Sequence, residues 1–229
     1  MKIHRFIGSF DLSGKTATIL GDTANQIRSV LRLTKGEAIA LSDGKGKETL
    51  CKILLIDHKQ VVVNIGETYV PEREVEKKII LFASIVKKEN FELLSQKSVE
   101  CGVSKIVPMI SERTIKLGLN IERLEKIVRE AAEQSGRVII PEVSEPVSFV
   151  EALTRTEGRI LFFHPGGEEL SFKKDNSKIA SIFIGPEGGF TEEEVEEAKN
   201  IGAEIVSLGK LTLRAETAAI IASYIARYV

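Results

Sequence analysis

From Ile79 onward, apolar runs of four to eight residues alternate with stretches of helical periodicity, and that alternation narrows the fold more than any other feature of the chain. Runs near Ile79–Val86, Lys105–Met109, Arg159–Phe163, Ile179–Ile184 and Glu204–Ser207 read as strands. The stretches near Asn90–Cys101, Ile121–Ser135, Phe149–Arg155, Glu192–Asn200 and Glu216–Val229 read as helices. Ser148 with Glu151 and Thr191 with Glu194 fit the S/T-x-x-E capping box, and Gly102 and Gly202 stand where helices should stop. Strands separated by helices are joined by crossovers rather than hairpins. The pattern therefore implies an α/β fold with a mostly parallel sheet and helices on both faces.

The first 70 residues carry a different pattern. Apolar and β-branched runs at Ala17–Leu20, Ala38–Leu41, Thr49–Leu55 and Val61–Ile65 are separated by turn signals at Asp11–Gly14, Leu33–Gly36 and Ser42–Gly46. One helical stretch, Thr23–Leu33, interrupts them and would set Arg28 and Arg32 on a common face, one turn apart. Residues 1–70 are thus expected to form a small β-barrel with a helix on its rim. The charged, proline-led segment 71–78 suits a domain boundary, leaving 71–229 as the α/β domain. Charge is also unevenly spread in a chain of net charge −1. Residues 1–60 hold ten Lys/Arg against six Asp/Glu, and 61–229 hold twenty-two against twenty-seven. A basic module on a near-neutral protein points toward nucleic acid, although an excess of this size also falls within ordinary surface variation.

Some classes are disfavoured. No apolar run approaches the length that spans a bilayer, and Met1–Phe6 lacks the apolar core of a signal peptide. Cys51, Cys101, His4, His58 and His164 are scattered without metal-ligand spacing. The expectation is a cytoplasmic protein with reduced cysteines, no metal and no membrane contact.

Two loops in the last fifth of the chain carry the chemistry. Gly185-Pro-Glu-Gly-Gly189 follows the run Ile182-Phe-Ile184 and precedes a helix that opens Glu192-Glu-Glu194. Its glycines let backbone amides approach a ligand closely. Three carboxylates at that helix start would repel a phosphate, and neither a P-loop Lys-Ser/Thr nor the G-x-G-x-x-G spacing is present. A ligand that is uncharged or cationic at this loop fits better. S-adenosylmethionine, with a sulfonium, an amino group and no phosphate, meets that condition; a plain strand-to-helix turn would read the same. In the second loop, Leu208-Gly-Lys-Leu-Thr-Leu-Arg-Ala-Glu-Thr-Ala218, Leu211 and Leu213 alternate as for an apolar purine slot. Arg214 would stand at the mouth and Glu216-Thr217 would start the last helix. A connector with solvated Arg214 and Glu216 is the other reading. At the ends of neighbouring parallel strands the two loops would form one crevice.

Taken together, Ile184-Gly-Pro-Glu-Gly-Gly-Phe190 and the tract Leu208 to Ala218 closely resemble the SPOUT-class methyltransferases that modify uridine N3 in small-subunit ribosomal RNA, the RsmE family. Val30–Leu33 with Gly36, and Asp43–Gly46, are similar to that family's PUA-like N-terminal barrel. Gln96–Pro108, Ser111–Arg113 and Glu130–Arg137 are similar to its central segments. The resemblance implies a C-terminal domain with a deep trefoil knot, an exception to the rule against knots, built from the two loops. It implies S-adenosylmethionine bound bent within the knot, a homodimer with the cofactor site near the subunit interface, and small-subunit rRNA or the assembled 30S subunit as substrate. The cofactor residues would be Phe163, His164, Ile184, Gly185, Pro186, Glu187, Gly188, Gly189, Leu208, Gly209, Leu211, Leu213, Arg214, Glu216, Thr217 and Ala218.

Neutral uracil N3 is a poor nucleophile, so an anion must be formed and held; the permanent charge of Arg214 makes it the candidate catalytic residue, set against O2 or O4. Arg5, Arg28, Arg32 and Lys47 are candidate phosphate contacts, and Arg137 would face either RNA or the partner subunit. Two departures stand out. Asn25-Gln26 occupies the place where family members commonly carry histidine, and His164-Pro-Gly-Gly167 is not a loop the family would suggest. A SPOUT enzyme acting elsewhere, for example on a tRNA 2′-hydroxyl, and an RNA-binding protein that has lost the cofactor are the competing readings. The order of the domains and the block Glu133-Gln-Ser-Gly-Arg137 favour the rRNA enzyme over the first, and the intact loops argue against the second.

Overall fold

A computed structural model describes residues 3–74, 76–115, 118–170 and 176–229. The chain divides into two compact units: residues 1–74 with 132–140, and residues 75–131 with 141–229.

The first unit is built on β1 (His4–Ile7), β2 (Thr16–Leu20), β3 (Ala38–Ser42), β4 (Glu48–Ile56) and β5 (Gln60–Tyr69). They form one sheet in the order β1-β3-β4-β5-β2. β1 runs parallel to β3, and the other pairings are antiparallel. Alternate residues Ile39, Leu41, Cys51, Ile53, Val61 and Val63 turn inward onto Phe6, Ile19 and Ile27, as a sheet with one wet face requires. Burial raises the Cys51 thiol pKa to about 11.

The helix expected over Thr23–Leu33 is corrected. Helix α1 covers Gly21–Asn25 and gives way to a π-helical turn, Gln26–Val30. The i+5 bond from Leu31 N to Gln26 O marks the change, and Arg32 then takes φ +52°. Arg28 and Arg32 do not share a helix face. Val30, at the end of the π-helical turn, is 69% exposed. Residues 132–140 join this unit through Gly46 N to Val138 O and Ile140 N to Gly44 O, both 3.1 Å. The buried carboxylate of Glu48 is held by Tyr69 Oη at 2.7 Å, by Arg73, and by Arg5 at 3.7 Å.

In the second unit β6 (Lys78–Ser84), α2 (Lys88–Glu100), β7 (Lys105–Ile110) and α3 (Ile121–Ser135, whose last turn falls in the first unit) are followed by short strands β8 (Glu142–Val143) and β9 (Val147–Ser148). Then come α4 (Phe149–Thr154), β10 (Arg159–Glu169), β11 (Ile179–Ile184), α5 (Glu192–Asn200), β12 (Glu204–Ser207) and α6 (Ala215–Ile225). The strand order is β12-β10-β11-β6-β7-β8, with β9 also on β7, and every pairing is parallel. Central strands β6 and β11 are apolar along nearly their whole length because both faces are covered. Phe82 and Phe183 stack across them with ring centroids 4.5 Å apart. From edge strand β12 the chain returns to the middle of the sheet, where α6 packs against α2, β6 and β11. No helix among the described residues is long and apolar enough to cross a membrane.

Candidate active site

The C-terminal ends of β11 and β12, the middle of β10 at Phe163–Pro165 and the turn after β7 line a cavity of about 580 Å³. The carboxyl edge of a parallel sheet is where such folds take ligands, and this volume suits a small molecule.

The glycine loop leaves β11 at Ile184. Gly189 N donates to Pro186 O at 2.8 Å, and Gly189 takes φ +68°, a turn that an L side chain would strain. Phe190 then enters the core against Phe162 and Phe149, with centroids 4.2 and 5.8 Å away, which pins the far end of the loop. Thr191 caps α5. Its hydroxyl accepts from Glu194 N at 3.2 Å, and the Glu194 carboxylate accepts from Thr191 N at 2.9 Å. Glu194 also accepts from Glu112 N at 2.9 Å, which fastens the turn after β7 to the start of α5. From that turn Arg113 reaches back, and its Nη1 donates to Gly188 O at 2.9 Å and Phe190 O at 3.4 Å. A buried chain of hydroxyls, Ser84 to Ser111 (2.9 Å) and Ser111 to Thr114 (2.8 Å), braces the same turn from β6. The three acids at the start of α5 are therefore not alike. Glu194 is internal and bonded, whereas Glu192 and Glu193 are exposed and already answer the helix dipole.

Strand β10 runs past the expected end at Phe163. Phe163 and Glu168 both pair with Val206, so His164-Pro-Gly-Gly167 is a bulge inside the strand rather than a loop after it. Gly166 N donates to His164 Nδ1 at 3.1 Å, which fixes the ring. A β-carbon on Gly167 would stand 2.7 Å from the Val206 backbone, so only glycine lets β10 and β12 close here.

Arg214 is the N-cap of α6, and its backbone carbonyl accepts from Ala218 N at 2.8 Å. Its side chain makes no capping bond; it is exposed and lines the cavity. A cation at a helix N-terminus opposes the dipole by roughly 0.3–1 kcal/mol where Ser or Asp would stabilise. A locally unfavourable choice at a cavity mouth is the kind of exception that marks a functional position.

Phe163, His164, Ile184, Gly185, Pro186, Glu187, Gly188, Gly189, Leu208, Gly209, Leu211, Leu213, Arg214 and Ala218 all line the cavity. Glu216 and Thr217 are not among the lining residues; Glu216 is buried in the first turn of α6. Arg113, Pro165, Phe190, Ser207, Lys210, Thr212 and Ala215 line it without having been singled out. The five expected RNA contacts lie in the first unit. Arg32 and Lys47 are exposed. Arg5 pairs with Glu48, and Arg28 donates to Asp57 O at 3.3 Å, to His58 O and to Asn25 Oδ1 at 3.1 Å. Arg137 pairs with Glu74 at 2.7 Å and its side chain is only 9% exposed. Among the described residues no group of three or more His, Cys, Asp or Glu side chains converges as a metal site.

Residues 73–227 match the RNA methyltransferase domain family, and residues 19–66 match the RNA methyltransferase PUA domain. A relative from Rickettsia conorii, ribosomal RNA small subunit methyltransferase E, is 32% identical over 203 residues, covering 86% of this chain and 82% of that one. A crystal structure of ribosomal RNA small subunit methyltransferase E from Neisseria gonorrhoeae, bound to S-adenosyl methionine, superposes with a TM-score of 0.91 at 32% identity. It covers 97% of this chain and 95% of that one. A methyltransferase from Legionella pneumophila, solved with its cofactor SAM bound, gives a TM-score of 0.87 at 31% identity, over 98% and 97% of the two chains.

Proposed function

The chain belongs to the ribosomal RNA small subunit methyltransferase E family, and on that premise we propose that it methylates N3 of a uridine in small-subunit ribosomal RNA, using S-adenosylmethionine. The observation that carries the reading is the cavity at the carboxyl ends of β11 and β12 and the bulge of β10, with Arg214 at its mouth. The residues present fit the cofactor. Backbone of the glycine loop, the apolar Ile184, Leu208 and Leu213, and the carboxylate of Glu187 suit a purine-bearing, phosphate-free molecule with a positive group. When bound, S-adenosylmethionine supplies an electrophilic methyl group.

The protein's part is placement and charge. The walls fix the donor, and the open side admits an unstacked base, since uracil N3 is hidden within a duplex. Arg214 holds the negative charge that uracil carries once its N3 proton has left. In this reading residues 1–70 hold the RNA, with Arg5, Arg28, Arg32 and Lys47 as the contacts to test, and 71–229 carry out the transfer, with Arg137 to be tested against either RNA or the partner subunit. We assign the two loops to a trefoil knot around the cofactor, and the protein to the cytoplasm as a homodimer acting on rRNA or the 30S subunit. Support for pairing comes from the apolar side chains that α6 and the turn after it leave exposed: Ile221, Tyr224 and Tyr228. The test is to incubate purified protein, S-adenosylmethionine and unmodified small-subunit rRNA or 30S subunits, digest the RNA and analyse its nucleosides. N3-methyluridine is expected; a different methylated nucleoside would overturn the base assignment.

A further inference from the structure

The charges around the cavity exceed what its cofactor needs. Arg113, Lys210 and Arg214 line it against one carboxylate, Glu187. S-adenosylmethionine bears two positive groups and one negative, so a surplus of cations in its site is unfavourable unless an anion joins it. Arg214 answers the uracil anion. The other two need a second source of negative charge.

Their placement says where that charge arrives. Lys210 is exposed, and it lies between Gly209 and Leu211, which is itself 82% exposed. It therefore stands on the outer rim of the cavity, not on its floor. Arg113 is also exposed; its stem lies over Gly188, where an added β-carbon would meet it at 3.3 Å. Its Nη1 is tied to the glycine-loop carbonyls, so the guanidinium is held in place before any ligand binds. A guanidinium held in place by backbone carbonyls and an exposed lysine on the same rim form a pair that suits phosphate oxygens.

We propose that Lys210, together with Arg113, binds the backbone phosphate next to the target nucleotide and so holds that nucleotide over the cavity. This rests on the reading of the cavity as the methyl-donor site. The test measures binding of unmodified, in vitro transcribed small-subunit rRNA between 50 and 200 mM KCl, and S-adenosylmethionine affinity by calorimetry, for the wild type and Lys210→Ala. Loss of one phosphate contact lowers the log–log salt slope by about 0.7 to 0.9, so the ratio of wild-type to variant affinity should shrink about threefold across that range. Cofactor affinity should stay within about twofold. Arg113→Ala should lower the slope too, with weaker cofactor binding as the glycine loop loosens. An unchanged slope in Lys210→Ala overturns the proposal. So does a large loss of cofactor affinity with the slope kept, which would give Lys210 to the cofactor carboxylate. Wild-type protein that binds RNA but no S-adenosylmethionine overturns instead the methyltransferase reading beneath it.

Discussion

Replacing Glu194 probes the joint that holds the glycine loop. The carboxylate is 6% exposed and accepts two backbone N–H groups, Thr191 N and Glu112 N, each at 2.9 Å. Hydrogen bonds to a charged group contribute about 1.5–3 kcal/mol each. In Glu194→Gln one amide oxygen can still accept, but the amide nitrogen meets an N–H donor, so one bond is lost and one donor is stranded. The net loss is about 2 kcal/mol, and Glu194→Ala, which loses both bonds, should cost about 3–5 kcal/mol. For a domain of this size that is a fall in Tm of roughly 4–8 °C for glutamine and about twice that for alanine. Thermal unfolding followed by circular dichroism measures it. Because Glu112 N is freed, the turn that carries Arg113 loosens, and S-adenosylmethionine affinity should fall alongside. A glutamine variant that melts within about 1 °C of the wild type and binds the cofactor unchanged would refute the joint.

Arg214→Ala should lower the methylation rate by about a hundredfold or more, as loss of an oxyanion-stabilising group does, while cofactor affinity by calorimetry changes little; an unchanged rate removes its role. Ile221→Glu with Tyr224→Glu should turn a dimer into a monomer by sedimentation, and a monomeric wild type would refute the pairing. With its thiol pKa raised to about 11 by burial, Cys51 is almost wholly protonated at pH 8 and should resist iodoacetamide until the chain is unfolded. The unfolded thiol titrates near 9, so the stability linked to this group is intact below that pH and is lost as pH climbs from about 9 to about 11. Rapid alkylation of Cys51 in the native protein at pH 8 would contradict its burial.

Strong periodicity was legible where local sequence and burial agree. α3, α5, β11 and β12 run over the residues that pattern alone suggests, because each has a clear apolar face or a fully apolar core and clear stop signals. β1 was not visible: His4-Arg-Phe-Ile7 is four residues long, and it becomes a strand only through its pairing with β3. The π-helical turn hid behind residues spaced as in an α-helix, since periodicity cannot register one extra residue per turn. β10 outran its pattern because Gly167 admits a bulge against β12, which a local reading takes for a loop. In the candidate site the two loops announced themselves through glycine and alternating leucine. Arg113 did not, because its partner Gly188 lies 75 residues away. Glu194 read as a helix cap, and its bond to Glu112 N, 82 residues distant, had no local signature.

The most direct test compares small-subunit rRNA from cells lacking this gene with rRNA from the same cells given back the wild type or Arg214→Ala, by nucleoside mass spectrometry. The account predicts that N3-methyluridine disappears at one site, returns with the wild type and stays absent or much reduced with Arg214→Ala. Persistence of N3-methyluridine in the deletion strain, or full restoration by the Arg214→Ala variant, would contradict it.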